Sequence, residues 1–323
     1  TVLPFVWTYL FKDGVTHKAR GTCNGGKRYG KAVTLAHTYA SCVEQPGARI
    51  FWALAALNGM KVIGADAGNA FAEAPPPIQP FYMEIDEQFR TWWTESLGRD
   101  PIPAGFVLPV KHALQGHPEA PRLWEKHIVK MLDDLGFKST THEKCIYQKT
   151  VDVEKVLFLR QVDDFAVACR NTAITKEIIR LVGTKLTVSL HDLGILTKFN
   201  GVDILQTRDY IKIHCASFLN KVLTHHGWQE EIEQHNPIPM RNDTAYQAQL
   251  ESAERPSTEA ERKQLHNDFF NYRQAIGECI YAMTVARCDI AFAVIKLSQY
   301  SANPAKIHYQ ALRQLFKYLA LNT

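Results

Sequence analysis

The stretch Val156-Leu-Phe-Leu-Arg-Gln-Val-Asp-Asp-Phe-Ala-Val-Ala168 governs how the rest of the chain is interpreted. Two short apolar runs flank a polar step, so the pattern predicts a β-hairpin with Asp163 and Asp164 near its turn. Adjacent carboxylates between buried strands repel each other and resist losing water unless a cation lies between them. The stretch therefore indicates a bound metal ion.

Asp-Asp is a common dipeptide, and the chain contains a second one at Asp133 and Asp134. That pair falls at the end of a helical apolar pattern just before Gly136, so both acids are expected on a solvated face without a function. Taken alone, the pair at 163 and 164 leaves open the ordinary interpretation of surface acids.

The composition is that of a globular protein with two or three subdomains. The chain has 323 residues, of which 46% are hydrophobic and 22% charged. These values exclude a disordered or fibrous protein. A net charge of +4 is compatible with a polyanionic partner but does not establish one.

Cysteine usage and hydropathy indicate an intracellular protein without a membrane partner. The seven cysteines are scattered and never form a CxxC pair, which is typical of reduced thiols. No apolar run is long enough to cross a bilayer, and the N-terminal segment lacks the features of a signal peptide. Because the sequence begins with Thr1, we expect a segment of a longer protein.

Strand and helix patterns alternate without a long parallel βαβ series, which favours an α+β fold. Near the N-terminus, residues 5–22 form a predicted hairpin around Asp13-Gly14, with Lys18 and Arg20 on its second strand. Such basic residues could lie over phosphates, or could only keep the hairpin soluble.

The helical patterns are concentrated in the second half of the chain. An earlier helix is predicted from Pro46 to Leu57, with Ile50, Leu54 and Leu57 along its apolar side. Past Cys215 the predicted helices cover residues 216–226, 259–281, 287–298 and 304–321, with a polar, flexible segment at 229–256. The last of these helices is expected to carry one stripe, formed by His308, Leu312, Leu315, Phe316 and Leu319.

A third carboxylate strengthens the case for a metal site. Asp66 follows the apolar pair Val62-Ile63, so it is expected at the end of a strand that lies beside the hairpin. Three acids from two adjoining strands can hold two divalent ions about 3.5–4 Å apart. Oxygen ligands combined with substrate phosphates favour Mg²⁺, with Mn²⁺ as a substitute.

Motifs along nearly the whole chain resemble those of one known family. Ala65-Asp-Ala-Gly-Asn-Ala-Phe-Ala72 resembles its first catalytic motif, and Gln161-Val-Asp-Asp164 is similar to its Tyr-Val-Asp-Asp. Ala113-Leu-Gln-Gly-His-Pro-Glu-Ala-Pro-Arg-Leu-Trp124 resembles its LYGLKQAPRLW motif. Further similar segments are His17-Lys-Ala-Arg-Gly-Thr-Cys23, Leu135-Gly-Phe-Lys-Ser139 with Cys145-Ile-Tyr147, His191-Asp-Leu-Gly194 with Phe199-Asn-Gly201, and Ala286-Arg-Cys-Asp-Ile290 through Leu297-Ser298 and His308. Together these segments resemble the reverse transcriptases of Ty1/copia-type LTR retrotransposons.

This resemblance implies a right-hand polymerase whose antiparallel palm sheet packs on helices. Asp66, Asp163 and Asp164 would be its catalytic, metal-binding acids. Phe71 would be an aromatic gate, because a ring under the sugar leaves no room for a ribose 2′-hydroxyl. Without the motif, Phe71 would be interpreted as a core residue.

The resemblance also implies contacts with the incoming nucleotide. Gln115 and Gly116 match positions that approach the nucleotide, with the amide donating to phosphate or sugar oxygens. Lys18 and Arg20 would place positive charge on the β and γ phosphates.

Three positions depart from the family pattern. Gln161 replaces the usual Tyr, so metal binding should survive but primer positioning is expected to differ. Cys288 replaces Pro and Asn200 replaces Leu, each in a segment that is expected to be structural.

The family layout implies interleaved fingers and palm over residues 1–213, with fingers at about 1–41 and 74–119 and palm at about 42–73 and 120–213. A helical thumb would follow over residues 214–271. A connection-like tail would cover residues 272–323, ahead of an RNase H domain.

The function implied is RNA-directed DNA polymerisation, with an RNA or DNA template, a DNA or RNA primer, dNTPs and an RNA/DNA hybrid as partners. Other Pol polyprotein domains (RNase H and integrase) are expected partners, in the cytoplasm, in virus-like particles and in the nucleus. The oligomeric state is left open. Alternatives are a catalytically silent nucleic-acid-binding protein, a two-metal nuclease, or a structural domain without metal.

Overall fold

The computed structural model describes residues 1–12, 15–26, 35–229 and 238–322. Contacts between residues divide the chain into two compact units, Thr1–Leu196 and Thr197–Thr323. The turn predicted at Asp13-Gly14 and residues 230–237 of the predicted polar segment lie outside the described residues. The α+β class is confirmed, whereas the layout of fingers, palm, thumb and connection stays a prediction.

The first unit alternates strands and short helices. Its strands are β1 (Val2–Leu3), β2 (Phe5–Lys12), β3 (Thr16–Cys23), β4 (Lys61–Ala67), β5 (Tyr82–Glu84), β6 (Val107–Pro109), β7 (Lys138–Ser139), β8 (Ile146–Val151), β9 (Glu154–Gln161), β10 (Asp164–Cys169) and β11 (Leu190–Ile195). Its helices are α1 (Leu35–Thr38), α2 (Gln45–Leu57), α3 (Ala70–Glu73), α4 (Glu87–Thr91), continued by a π-helical turn at Trp92–Ser96, α5 (Ala120–Asp134) and α6 (Thr172–Lys185).

A six-stranded antiparallel sheet organises this unit, in the order β11-β4-β10-β9-β8-β7. The predicted hairpin is confirmed as β9 and β10 at the centre of the sheet. Ile63, Phe165 and Val167 pack with α5 and α6 on one face. Because side chains alternate along a strand, Asp66 and Asp164 lie on the opposite face.

Helix α2 covers that opposite face, but through residues other than those predicted. Phe51 and Ala55 are fully buried, whereas Ile50, Leu54 and Leu57 are 57%, 39% and 83% exposed. The prediction of the apolar side was wrong because the helix is apolar around most of its circumference. The face carrying Phe51 and the buried Trp52 removes the larger aromatic area from water.

The N-terminal hairpin follows the prediction. Strands β2 and β3 pair from Phe5 opposite Cys23 to Lys12 opposite Thr16. The proline-rich residues 74–81 contain no helix or strand, and beyond them β5 pairs with β6.

The second unit is a small sheet surrounded by helices. Its strands are β12 (Lys198–Phe199), β13 (Val202–Gln206) and β14 (Ile211–His214). Its helices are α7 (Ala216–His226), α8 (Thr244–Ser252), α9 (Glu259–Asp268), α10 (Tyr272–Val285), α11 (Ala291–Ser298), preceded by a 3₁₀ turn at Cys288–Ile290, and α12 (Lys306–Leu321).

The stripe predicted along the last helix is confirmed, since its members are all buried: His308, Leu312, Leu315, Phe316 and Leu319. The helix predicted over residues 259–281 is instead divided into α9 and α10. Asn271 begins α10 because its side chain accepts a hydrogen bond from the backbone N–H of Gln274 (3.1 Å). The polar segment at 229–256, which was predicted to be flexible, contains α8.

Within the described ranges, every helix falls short of the length and apolar character needed to span a bilayer.

Candidate active site

A two-residue turn, Val162-Asp163, joins β9 to β10. Val162 has a φ of 56°, in a region that a β-branched side chain rarely adopts and that costs about 1–3 kcal/mol. Its carbonyl oxygen accepts a hydrogen bond from the indole Nε1 of Trp124 (2.7 Å), a side chain only 1% exposed. The hydrophobic core beneath the sheet therefore fixes the turn, and the turn places Asp163 at the end of strands β9 and β10.

The three predicted acids come together at one end of the sheet. Asp66 lies directly opposite Asp164 in the β4–β10 pair, so both side chains point to the same face. The carbonyl oxygen of Asp163 accepts a hydrogen bond from the N–H of Ala67 (3.0 Å), which ties the turn to the end of β4. Asp66 and Asp164 are half-buried, and Asp163 is exposed.

The acids interact electrostatically. Partial loss of water, followed by the charges of Asp163 and Asp66, raises the pKa of Asp164 to about 6. Partial loss of water is also the main cause that raises the pKa of Asp163, where repulsion by Asp66 opposes attraction by Arg20 and Lys18. The cluster thus carries negative charge that a cation would stabilise.

The three carboxylates suit a divalent cation, although they do not form a complete coordination site. Across the part of the chain that the structure describes, no three His, Cys, Asp or Glu side chains stand ready to hold a metal ion. Asp66, Asp163 and Asp164 nonetheless supply the oxygen ligands that Mg²⁺ prefers, and the charges of neighbouring acids raise the pKa of Asp163 and of Asp164. Their chemistry therefore fits the predicted ions.

A cleft of about 410 Å³ opens beside the acids. It brings together six of the eight predicted site residues: Lys18, Arg20, Asp66, Phe71, Gln115 and Asp163. The other two, Asp164 and Gly116, are outside its lining. The cleft is therefore lined by two cations, two acids and an aromatic ring.

Gly116 attaches the N-terminal hairpin to this cleft. The N–H of Cys23 donates a hydrogen bond to the carbonyl oxygen of Gln115 (2.9 Å). Gly116 has a φ of +90°, and a Cβ there would lie 1.9 Å from the carbonyl oxygen of Cys23. Glycine is required because any side chain would separate β3, with Lys18 and Arg20, from the Gln115 turn.

Gln115 connects that turn to the segment before Phe71. Its Nε2 donates a hydrogen bond to Oδ1 of Asn69 (2.9 Å), and Asn69 has a φ of 56°. Phe71 lies on α3, where it packs partly against the core and also lines the cleft. Phe71 is therefore both a core residue and a cleft residue, which are the two interpretations that the sequence allowed.

Sequence reasoning missed several supporting residues. Trp124 lies in the motif that ends in Arg-Leu-Trp, but nothing in the motif indicates that its indole binds the turn. Glu73, whose contacts hold α3, has no sequence signature. Gln161, which departs from the family's Tyr, lies opposite Asp164 and accepts a hydrogen bond from the N–H of Val43 (3.0 Å).

The second Asp-Asp pair is exposed, as predicted. Asp133 and Asp134 are both exposed at the end of α5, and Asp133 pairs with Lys138. They lie outside the cleft.

Comparison with known proteins agrees with this geometry. Residues 2–240 match the family model described as reverse transcriptase (RNA-dependent DNA polymerase). The Retrovirus-related Pol polyprotein from transposon TNT 1-94 of Nicotiana tabacum is 26% identical over 322 residues, which cover 97% of this chain and 23% of the relative. A putative transposon Ty5-1 protein of Saccharomyces cerevisiae is 25% identical over 217 residues, 66% of this chain and 65% of the relative.

A third relative, the Retrovirus-related Pol polyprotein from transposon RE2 of Arabidopsis thaliana, is 21% identical over 305 residues, 94% of this chain and 19% of the relative. The chain thus spans about a quarter or less of the plant polyproteins. The match to the family model over most of its length shows that the chain belongs to the reverse transcriptases, of the type found in the Pol polyproteins of Ty1/copia retrotransposons.

Proposed function

We propose that this chain catalyses RNA-directed DNA synthesis by adding dNMP to a primer 3′-hydroxyl on an RNA or DNA template. In this reaction the primer oxygen bonds to the α-phosphorus of a dNTP, and pyrophosphate leaves. The observation that carries the proposal is one cleft that is lined by Asp66 and Asp163 together with Lys18 and Arg20. Acids and cations in one cleft suit a triphosphate accompanied by divalent ions.

Asp66, Asp163 and Asp164 would hold two Mg²⁺ ions, or Mn²⁺ in their place. When bound, these ions would make the primer hydroxyl more acidic and neutralise charge on the departing pyrophosphate. Lys18 and Arg20 would bind the β and γ phosphates in the same cleft. Phe71 would exclude a ribose 2′-hydroxyl, and Gln115 would orient the nucleotide through its amide.

The partners follow from the same proposal. An RNA template, a DNA or RNA primer and the RNA/DNA hybrid would be held mainly through phosphates, so that affinity falls as salt rises. RNase H and integrase domains of a Pol polyprotein would be further partners, in cytoplasmic virus-like particles and in the nucleus.

The deciding experiment is primer extension on an RNA template with Mg²⁺ and dNTPs. Asp163→Asn should lower the rate by at least about 100-fold, because charge stabilisation by metal ions contributes several kcal/mol. Asp133→Asn is the matched control, since it neutralises an exposed acid of the same unit outside the cleft. It should extend primers at the wild-type rate.

Three outcomes would count against the proposal. Equal activity of Asp163→Asn and wild type would remove the acids from the chemistry. Binding of primer–template without extension would indicate the catalytically silent protein. Degradation of nucleic acid without dNTPs would indicate a nuclease.

A further inference from the structure

Helix α3, which carries Phe71, is a single turn from Ala70 to Glu73. A helix this short is not stable in isolation. Asn69 precedes it in a left-handed conformation and makes no side-chain cap, because its Oδ1 accepts the amide of Gln115 instead. The position of the Phe71 ring must therefore be held by contacts from outside the helix.

Glu73, two residues after Phe71, makes those contacts. One carboxylate oxygen, Oε2, accepts three hydrogen bonds: from the N–H of Thr187 (2.9 Å), from the hydroxyl of Thr187 (2.6 Å) and from the N–H of Val188 (3.0 Å). The other oxygen, Oε1, lies 3.6 Å from Nε2 of His127 on α5. A single side chain thus joins α3 to two other segments of the unit.

The carboxylate is enclosed and charged. The Glu73 side chain is only 5% exposed. Burial acts to raise the pKa of Glu73, but the hydrogen bonds from Thr187 and Val188, together with His127, outweigh it and lower that pKa. Hydrogen bonds to a charged acceptor are among the stronger ones in proteins, so this contact is well suited to fix a position.

The segment that donates hydrogen bonds to Glu73 is also connected to the strand that carries Asp66. Residues 187–189 lead into β11, where Leu190 pairs with Ala67. The N–H of Gly68 donates to the carbonyl oxygen of Ser189 (2.8 Å). Helix α3, which carries Phe71, and the strand end that carries Asp66 are thus both tied to the segment that begins β11, one through Glu73 and the other through the backbone.

We propose that Glu73 is a positioning residue that sets the place of the Phe71 ring in the cleft and thereby the selectivity for deoxyribonucleotides over ribonucleotides. This inference rests on the proposed polymerase function. Glu73 does not line the cleft, so it acts through Phe71 and not by touching the nucleotide.

The test measures kcat/KM for one dNTP and the matching rNTP in single-nucleotide primer extension. Glu73→Ala removes the acceptor and should lower the dNTP-to-rNTP ratio by about 10-fold, within the range that small changes in pocket shape produce. Phe71→Ala should lower the ratio at least as much. In the double variant the two losses should not add, because both remove the same constraint.

Glu73→Gln provides the conservative rescue. All three short hydrogen bonds use Oε2, so the remaining amide oxygen can accept them while the NH₂ group faces His127. The ratio should stay within about twofold of wild type, because the acceptor of the three bonds is kept. Thr187→Val, which loses only the hydroxyl donor, should give an intermediate ratio and serves if Glu73→Ala does not fold.

A stability control separates positioning from general loosening. Val182→Ala truncates a buried core residue of α6 and should lower the melting temperature without changing the ratio. A parallel fall of the ratio in Val182→Ala would overturn the inference. It would also be overturned by an unchanged ratio in Glu73→Ala or, if that variant does not fold, in Thr187→Val, or by additive losses in the double variant.

Failure of the proposed function is recognised separately. If the wild-type chain extends no primer, the polymerase proposal fails and takes this inference with it. If wild type extends and Phe71→Ala keeps the wild-type ratio, only the gate and its positioning by Glu73 are refuted. If Phe71→Ala relaxes selectivity and Glu73→Ala does not, the positioning role alone is refuted.

Discussion

Replacing Gly116 with alanine should detach the N-terminal hairpin from the cleft. The added Cβ would lie 1.9 Å from the carbonyl oxygen of Cys23, whereas such contacts under 3.0 Å essentially never occur. The two backbones must therefore separate by the difference between 3.0 and 1.9 Å, about 1.1 Å. That movement would break the hydrogen bond from the N–H of Cys23 to Gln115.

The magnitudes follow from these two effects. Alanine at a φ of +90° costs about 1–2 kcal/mol, and the lost hydrogen bond about 0.5–1.5 kcal/mol more. Because β3 carries Lys18 and Arg20, a shift of about 1 Å should lower kcat/KM for dNTP by about 10- to 100-fold. Chemical denaturation measures the loss of stability, and steady-state primer extension measures the fall in kcat/KM.

Gly105→Ala is the matched control. Gly105 has a φ of +82°, and a Cβ there would meet no atom within 4 Å. This variant should therefore lose only the about 1–2 kcal/mol of stability that alanine costs at a positive φ, and it should keep wild-type kinetics. Equal kcat/KM in the two variants would refute the role assigned to Gly116.

Three further predictions concern other parts of the chain. Trp124→Phe removes the donor to the strained Val162 carbonyl and should cost about 2–3 kcal/mol in denaturation experiments; a primer-extension rate unchanged at full folding would contradict the role of the turn. Burial lowers the pKa of His308, so the unfolded chain binds more protons below about pH 6.5, and stability should decline as pH falls through that range. The same denaturation series in His308→Gln should have a flatter pH dependence, and an identical slope would exclude His308 as its source. Arg20→Ala should raise KM for dNTP by about 10-fold with kcat little changed, because it removes charge that binds phosphate; an unchanged KM would place the phosphates elsewhere.

Much of the fold could be predicted because it is encoded by neighbouring residues. The apolar runs around Asp163 and Asp164 predict the β9–β10 hairpin, and the spacing of apolar residues predicts the buried stripe of α12. The side of α2 that becomes buried was predicted wrongly. Its sequence offers two apolar sides, and only packing against the sheet selects the one that carries Phe51.

Some residues of the candidate site could likewise be predicted from the sequence, whereas others could not. Motif residues identified Asp66, Phe71 and Gln115 as cleft residues, because adjacent positions along the chain carry the resemblance. The hydrogen bond from Thr187 to Glu73 joins residues more than a hundred positions apart, and no local sequence pattern predicts it.

The linear order of residues was sufficient to predict the α+β class, the central hairpin and the three candidate acids, since each depends on short-range periodicity or on a contiguous motif. Folding in three dimensions was needed to show that Asp66 stands opposite Asp164 and that Gly116 admits the backbone of Cys23. Strand register and close backbone contacts depend on how distant segments exclude water and fill space together, and that competition has no counterpart in a local stretch of sequence.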